Sequence, residues 1–214
     1  MKKILVFSNG EKIGDGIIKL QLLYEIKRRL PNHKLYWITD KGKTVYSSIL
    51  QNISSKYIYG FYEQANLSPF IWSKVSNKFN LNNEYFDIIL DTQKSVFRTV
   101  ALKRIKHKTF ISGTASGYFS SKKIKKNKTN NNGYYLEYIL DLLNLIVDEK
   151  IDHNFTFPID NKLEKIISNI LNNKKQYIGI APGAGEKDKV WPLAKYIEVC
   201  NYVESKKYKL LFFI

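Results

Sequence analysis

Acids, histidines and cysteines are all scarce in this chain. It has one cysteine, three histidines, and 19 Asp and Glu against 35 Lys and Arg. A lone Cys200 excludes an intrachain disulfide and a cysteine-based zinc site, and it suits a reducing compartment. Cys200 follows Ile197 and Val199 in a helical run, so it reads as a buried structural thiol, not a nucleophile. His33, His107 and His153 lack a metal-ligand spacing; each reads as a surface or packing residue, and no metal is expected. No G-x-S-x-G element is present and no catalytic triad is apparent. No apolar run approaches the roughly 18 residues that a membrane span needs. Met1-Lys2-Lys3 leads into only five apolar or small residues before Asn9-Gly10, too few for a secretory signal core. These absences predict a cytoplasmic protein, at most touching a membrane surface.

The acid deficit gives a net charge of +16, which attracts phosphorylated substrates, anionic lipid or nucleic acid without choosing among them. Of the 214 residues, 44% are hydrophobic, enough for a real core. Lys3 to Ser8 reads as a buried strand, and Ile18, Leu22, Ile26 and Leu30 form one face of a helix closed by Pro31. Strands follow at 34–39, 57–61, 86–91 and 109–112, with helices at 44–50, around 69–79, at 95–105 and at 134–147. This alternation predicts an α/β fold with a parallel, doubly wound sheet over residues 1–150. A lysine- and asparagine-rich loop is expected at 122–132 and a linker at 151–160. A second unit, 161–214, opens with a helix whose Leu163, Ile166, Ile167 and Ile170 face inward, then strand, helix and strand. The final run, Tyr208 to Ile214, reads as a core strand, so the sequence is expected to be a fragment or truncated product.

Three constellations carry chemistry. Gly14-Asp15-Gly16 follows the first strand and opens the first long helix, where ligands bind in open parallel sheets. Asp15 reads either as a helix cap or as an outward-facing general base. Asp91-Thr92-Gln93-Lys94 ends a strand; it is a cleft cluster or a capping turn for the helix that carries Arg98, a residue placed to face an anionic acceptor. Pro182-Gly183-Ala184-Gly185 with Lys189 is either an ordinary tight turn or a phosphate cradle of close-approaching amides and a point charge. Pro192 is expected to start the next helix and Trp191 to pack beneath the lysine. Neither glycine-rich stretch is a dinucleotide fingerprint or a Walker loop.

Taken in order, Gly14-Asp15, Phe86-Asp87-Ile88-Ile89-Leu90-Asp91-Thr92-Gln93 and Ile180-Ala181-Pro182-Gly183-Ala184 with Lys189-Val190-Trp191-Pro192 resemble the ADP-heptose:lipopolysaccharide heptosyltransferases of glycosyltransferase family 9. The resemblance runs the length of the chain, and the Pro-Gly-Ala…Lys-x-Trp-Pro element is its most specific part. It implies a GT-B fold of two Rossmann-like domains. It implies inverting transfer of a sugar from an ADP-sugar donor to an anionic glycolipid acceptor at the inner membrane surface, by a monomer without a metal. Asp15 would be the base. Gly183, Ala184, Gly185 and Lys189 would hold the diphosphate, with Gly14, Gly16, Asp91, Gln93 and Arg98 lining the cleft or acceptor side. The family has Ser or Thr around the positions of Ala184 and Gly185, and its later donor-site residues have no counterpart before Ile214. Tyr57, Tyr59, Phe61, Tyr62, Phe70 and Trp72 read equally as core or as a lipid-facing patch. Two other readings remain at this point. One is a basic nucleic-acid-binding α/β protein, on the Lys122 to Lys128 run. The other is a non-catalytic remnant of such an enzyme.

Overall fold

Apolar stretches at the centre of the chain's strands build a five-stranded parallel sheet in the computed structural model, which describes residues 1–123, 135–147, 149–151, 161–171, 175–183 and 187–213. The strands are β1 (Lys2–Phe7), β2 (His33–Ile38), β3 (Ile58–Tyr62), β4 (Tyr85–Asp91) and β5 (Lys106–Ser112), in the order β3-β2-β1-β4-β5. β1 lies at the centre, with Leu5 registered on Tyr36 of β2 and on Ile89 of β4. Residues Ile4 to Phe7 are fully buried, as expected of a strand covered on both faces.

The helices are α1 (Ile13–Arg29), the single turn α2 (Gln51–Ser54), α3 (Val96–Lys103) and α4 (Tyr135–Asn144), with a 3₁₀ turn at Val45–Ser47. Alternation along the strands separates two cores. Ile4, Val6, Leu35, Trp37, Ile88 and Leu90 pack with Leu22, Leu23 and Ile26 of α1 and Ile139, Leu140 and Leu143 of α4. Leu5, Phe7, Ile38, Phe86 and Ile89 face the other way, against Leu102 of α3 and the connection that follows β3. Ile18, expected on the inner face of α1, is exposed, and Leu20 is buried instead. The helix expected at 44–50 is that 3₁₀ turn and the bend into α2.

No helix forms at 69–79. Residues 63–84 are irregular because side chains satisfy their backbone. Arg104 donates from Nη1 to the Ser68 carbonyl at 2.7 Å and from Nη2 to that of Ser73. Val75 N–H donates to Asn82 Oδ1 at 3.0 Å, and Lys78 Nζ to the Glu63 carbonyl at 2.8 Å. Ala65, Val75 and Leu81 anchor this connection in the second core. Such long-range partners override local periodicity.

The chain divides into two compact units, Met1–Phe155 and Thr156–Ile214. Ile151, expected in the linker, is fully buried in the first unit's core; the rest of that linker, and most of the 122–132 loop, lie outside the described residues. The second unit contains α5 (Asn161–Ile170), β6 (Tyr177–Ile180), a 3₁₀ turn (Lys187–Lys189), α6 (Leu193–Ser205) and β7 (Lys209–Phe212). β6 and β7 pair in parallel, with Ile178 on Leu210. Leu163, Ile166, Ile167 and Ile170 of α5 are exposed and not inward, since two strands offer too little apolar surface to cover them. Cys200 is half-buried, not enclosed, because Ile197 and Val199 beside it are exposed.

Arg104→Ala removes the donors to the Ser68 and Ser73 carbonyls. It should lower stability by about 1–3 kcal/mol, read by urea unfolding, and should speed proteolytic cleavage within 63–84.

Candidate functional site

The chain leaves β1 toward β2 on one side, while β4 joins β1 on the other, so the strand order reverses between β1 and β4. In open parallel sheets the crevice for ligands lies outside the carboxyl ends of the strands at such a reversal. Here that edge is built from the segments after β1 and β4. Polar side chains tie them together. Thr92 donates its N–H and its Oγ1 to the Phe7 carbonyl, at 3.2 and 2.8 Å. Asn9 Oδ1 accepts from the N–H groups of Asp40 and Lys41, at 3.0 and 2.9 Å, which fastens the turn after β1 to the one after β2. Gly10 supplies a positive φ of 70° in that turn, a conformation that costs glycine little.

Beneath the turn lies a buried charge pair that sequence reasoning missed. The Glu11 carboxylate accepts from Trp37 Nε1 at 3.0 Å and from Thr44 Oγ1 at 2.7 Å, and Lys19 Nζ stands 3.6 Å away. Lys19 Nζ also donates to Ser8 Oγ at 2.5 Å. Burial pulls the Lys19 ammonium below its ordinary range, opposed by the charges of Glu11 and Asp15. The only hint in the sequence is a lysine standing inside the run Ile17-Ile18-Lys19-Leu20, one helical turn beyond Asp15.

Asp15, at the third position of α1, is exposed. Its Oδ2 accepts from the Lys12 N–H at 3.4 Å, a long contact for a cap. An outward carboxylate therefore serves as a weak cap and also faces solvent at the helix N-terminus, so both readings of this residue are compatible. Gly14 beside it is exposed, and a Cβ there would meet nothing within 4 Å. Gly16 is different: its Cβ would stand 2.4 Å from Val45 Cγ2, and its carbonyl accepts from Tyr46 Oη at 2.7 Å. Gly16 seats the 3₁₀ turn against α1 instead of lining an opening.

Asp91 is fully buried and accepts from Thr99 Oγ1 at 2.6 Å, Ser112 Oγ at 2.8 Å and the Gln93 N–H at 3.0 Å. Burial outweighs these bonds and pushes its carboxyl up to about 6. Asp91 thus joins β4, α3 and β5 and makes the turn into α3; it does not face a cleft. Gln93, half-buried, accepts at its carbonyl from Thr114 Oγ1 at 3.2 Å. Arg98 Nε donates to Asp40 Oδ2 at 2.7 Å, so the guanidinium expected to meet an acceptor is paired within the fold, with a third of its side chain still exposed.

In the second unit, Gly183 and Lys189 lie between β6 and α6, past the carboxyl end of β6. A Cβ on Gly183 would meet nothing within 4 Å, which leaves its backbone approachable, and Lys189 is exposed. Ala184 and Gly185 lie outside the described residues. Pro192 is the N-cap of α6, as expected. Trp191 packs edge-on against Tyr196, with centroids 5.1 Å apart, and is 44% exposed. Among the described residues no cluster of His, Cys, Asp and Glu is disposed to hold a metal ion, and no helix is long and apolar enough to cross a membrane.

Comparison with known proteins adds a family and several solved structures. The sequence model of glycosyltransferase family 9 (heptosyltransferase) matches residues 74–214. The crystal structure of the family 9 glycosyl transferase from Veillonella parvula DSM 2008 is 17% identical, with a TM-score of 0.59 over 99% of this chain and 62% of that one. E. coli heptosyltransferase WaaC with ADP is 15% identical, with a TM-score of 0.54 over 98% of this chain and 66% of that one. E. coli ADP-heptose lps heptosyltransferase II is 15% identical, with a TM-score of 0.56 over 99% and 64%. The chain therefore shares their α/β fold and spans less than two thirds of the length of each. No curated protein matches it.

The Asp91 carboxyl yields a pH test. Its pKa is raised in the folded state, so its contribution is fully present below the unfolded value of 3.8 and is lost as pH rises through about 6. Between those limits wild type should lose about 3 kcal/mol relative to Asp91→Asn, read as urea midpoints at each pH. Parallel curves would contradict a buried, protonated carboxyl.

Proposed function

The chain belongs to glycosyltransferase family 9, the heptosyltransferase family, and from that we propose that it transfers a sugar, heptose in the first instance, from an ADP-sugar to an anionic glycolipid of the lipopolysaccharide-core type, with inversion. The observation that carries this reading is the exposed Asp15 carboxylate, set at the N-terminus of α1 beside the reversal between β1 and β4. The ADP in the related WaaC structure supports an adenine nucleotide as the donor's leaving half.

In this mechanism the Asp15 carboxylate takes the proton of the acceptor hydroxyl as its oxygen attacks the anomeric carbon. A new C–O bond forms on the face opposite the donor phosphate. The old C–O bond breaks, and its electron pair leaves with ADP. Negative charge grows on the β-phosphate as that bond lengthens. We assign Gly183, Ala184 and Gly185, with the Lys189 ammonium, to receive it, because donors placed where charge develops lower the barrier. Gly14 leaves the approach to Asp15 open. Arg98, Asp91 and Gln93 act through the shape of the acceptor side and do not touch reacting atoms. The protein works as a monomer in the cytoplasm, close to the membrane that holds its acceptor.

In the intact protein, Asp15→Ala is expected to reduce sugar transfer by at least about a thousandfold while ADP-sugar affinity, measured by calorimetry, stays within a few-fold. Lys189→Ala should weaken donor binding instead. Turnover at the wild-type rate in the Asp15 variant would overturn the mechanism.

A further inference from the structure

Phe70, Ile71 and Trp72 stand out of the first unit, 53%, 82% and 81% exposed. The Phe70 and Trp72 rings stack on each other, with centroids 5.3 Å apart and an interplanar angle of 19°. Single exposed apolar residues need no account, but three in succession form a patch. Bonds close its base: Ser68 and Ser73 share a hydroxyl bond of 2.6 Å, Ser68 N–H donates to the Val75 carbonyl at 2.9 Å, and the Arg104 guanidinium holds the Ser68 and Ser73 carbonyls. The fold thus presents these side chains on a braced tip.

The stretches of sequence that carry this tip and its brace are of one charge sign. Residues 64–83, which contain it, have two Lys and no acid, and residues 92–123, which supply Arg104, have eight Lys and Arg and no acid. The protein's 19 acids all lie elsewhere.

We propose that the Phe70–Trp72 tip is a membrane-docking element, which seats its apolar side chains in the interfacial layer of a bilayer rich in anionic lipid. Amphipathic rings favour that layer, and a cation such as the exposed Lys74, two residues beyond Trp72, is drawn to the headgroups. A nucleic acid suits the tip less well. Ile71, the most exposed of the three, has no ring on which a base could stack, whereas all three side chains suit an apolar layer. The inference needs no donor and no catalytic residue, so it stands or falls apart from the transferase reading.

Flotation of the 214-residue chain with vesicles tests it. The protein should float with vesicles of phosphatidylcholine and phosphatidylglycerol and not with phosphatidylcholine alone. The double substitution Ile71→Ser, Trp72→Ser should weaken partitioning by at least about tenfold, with thermal unfolding unchanged because both side chains are exposed. Trp72→Tyr, which keeps an interfacial ring, should retain most of the binding. No flotation with anionic vesicles, or equal flotation of the double variant, would overturn the proposal. So would a single-stranded RNA whose binding is lost in the double variant while vesicle binding persists.

Discussion

The Glu11–Lys19 pair underlies the carboxyl edge of the first sheet. Two opposite charges sit almost wholly out of water between β1 and α1, and neither is stable there alone. Glu11 collects donors from β2, through Trp37, and from the segment after it, through Thr44. Lys19 returns to β1 through Ser8. One carboxylate thereby sets the path of the turn from β1 into α1, and so the place where α1 begins. Removing either partner leaves an uncompensated buried charge, which typically costs about 3–5 kcal/mol.

The position of Asp15 follows from that arrangement. With Glu11 and Lys19 paired inside, the next acid, Asp15 on α1, is exposed and makes a long contact to the Lys12 N–H. The rest of the edge is braced in the same manner. Asn9 ties the β1 turn to the β2 turn, Arg98 ties α3 to Asp40, and Asp91 ties β4 to α3 and β5. Several polar residues that looked like ligands for a substrate are the fold's own fasteners. An edge held this firmly fits the proposed transfer, in which one carboxylate must meet one hydroxyl, since small displacements of a base are costly.

Legibility in the sequence varied with the range of the forces involved. β1 and β4 were readable because strands covered on both faces must be apolar runs, while only the 109–112 end of β5 was, since Lys106-His107-Lys108 carry no apolar run; α6 was readable from its leading Pro192 and its periodicity. The segment 63–84 was not, because Arg104, more than twenty residues further on, holds its carbonyls. The apolar stripe of α5 showed that the residues form a helix but not whether anything covers them. Of the six aromatics that read as core or surface, Tyr59, Phe70 and Trp72 are exposed while Tyr57, Phe61 and Tyr62 pack against the two cores; composition cannot make that division. At the site, Gly14 and Asp15 were visible as a glycine–acid pair at a helix start, but Glu11 and Lys19 were not, since a charge is buried only by partners that the fold brings from β2 and beyond.

By itself, then, the sequence determined the class of the protein: parallel strands alternating with helices, a strongly cationic chain, and motifs in the order that marks its family. Those features depend on periodicity, composition and short spacings, which are local. Which acid faces solvent, which arginine is already paired and which aromatics stand clear of the core were decided by the tertiary structure alone. Each of those outcomes depends on where distant side chains converge, and convergence is a property of the folded chain.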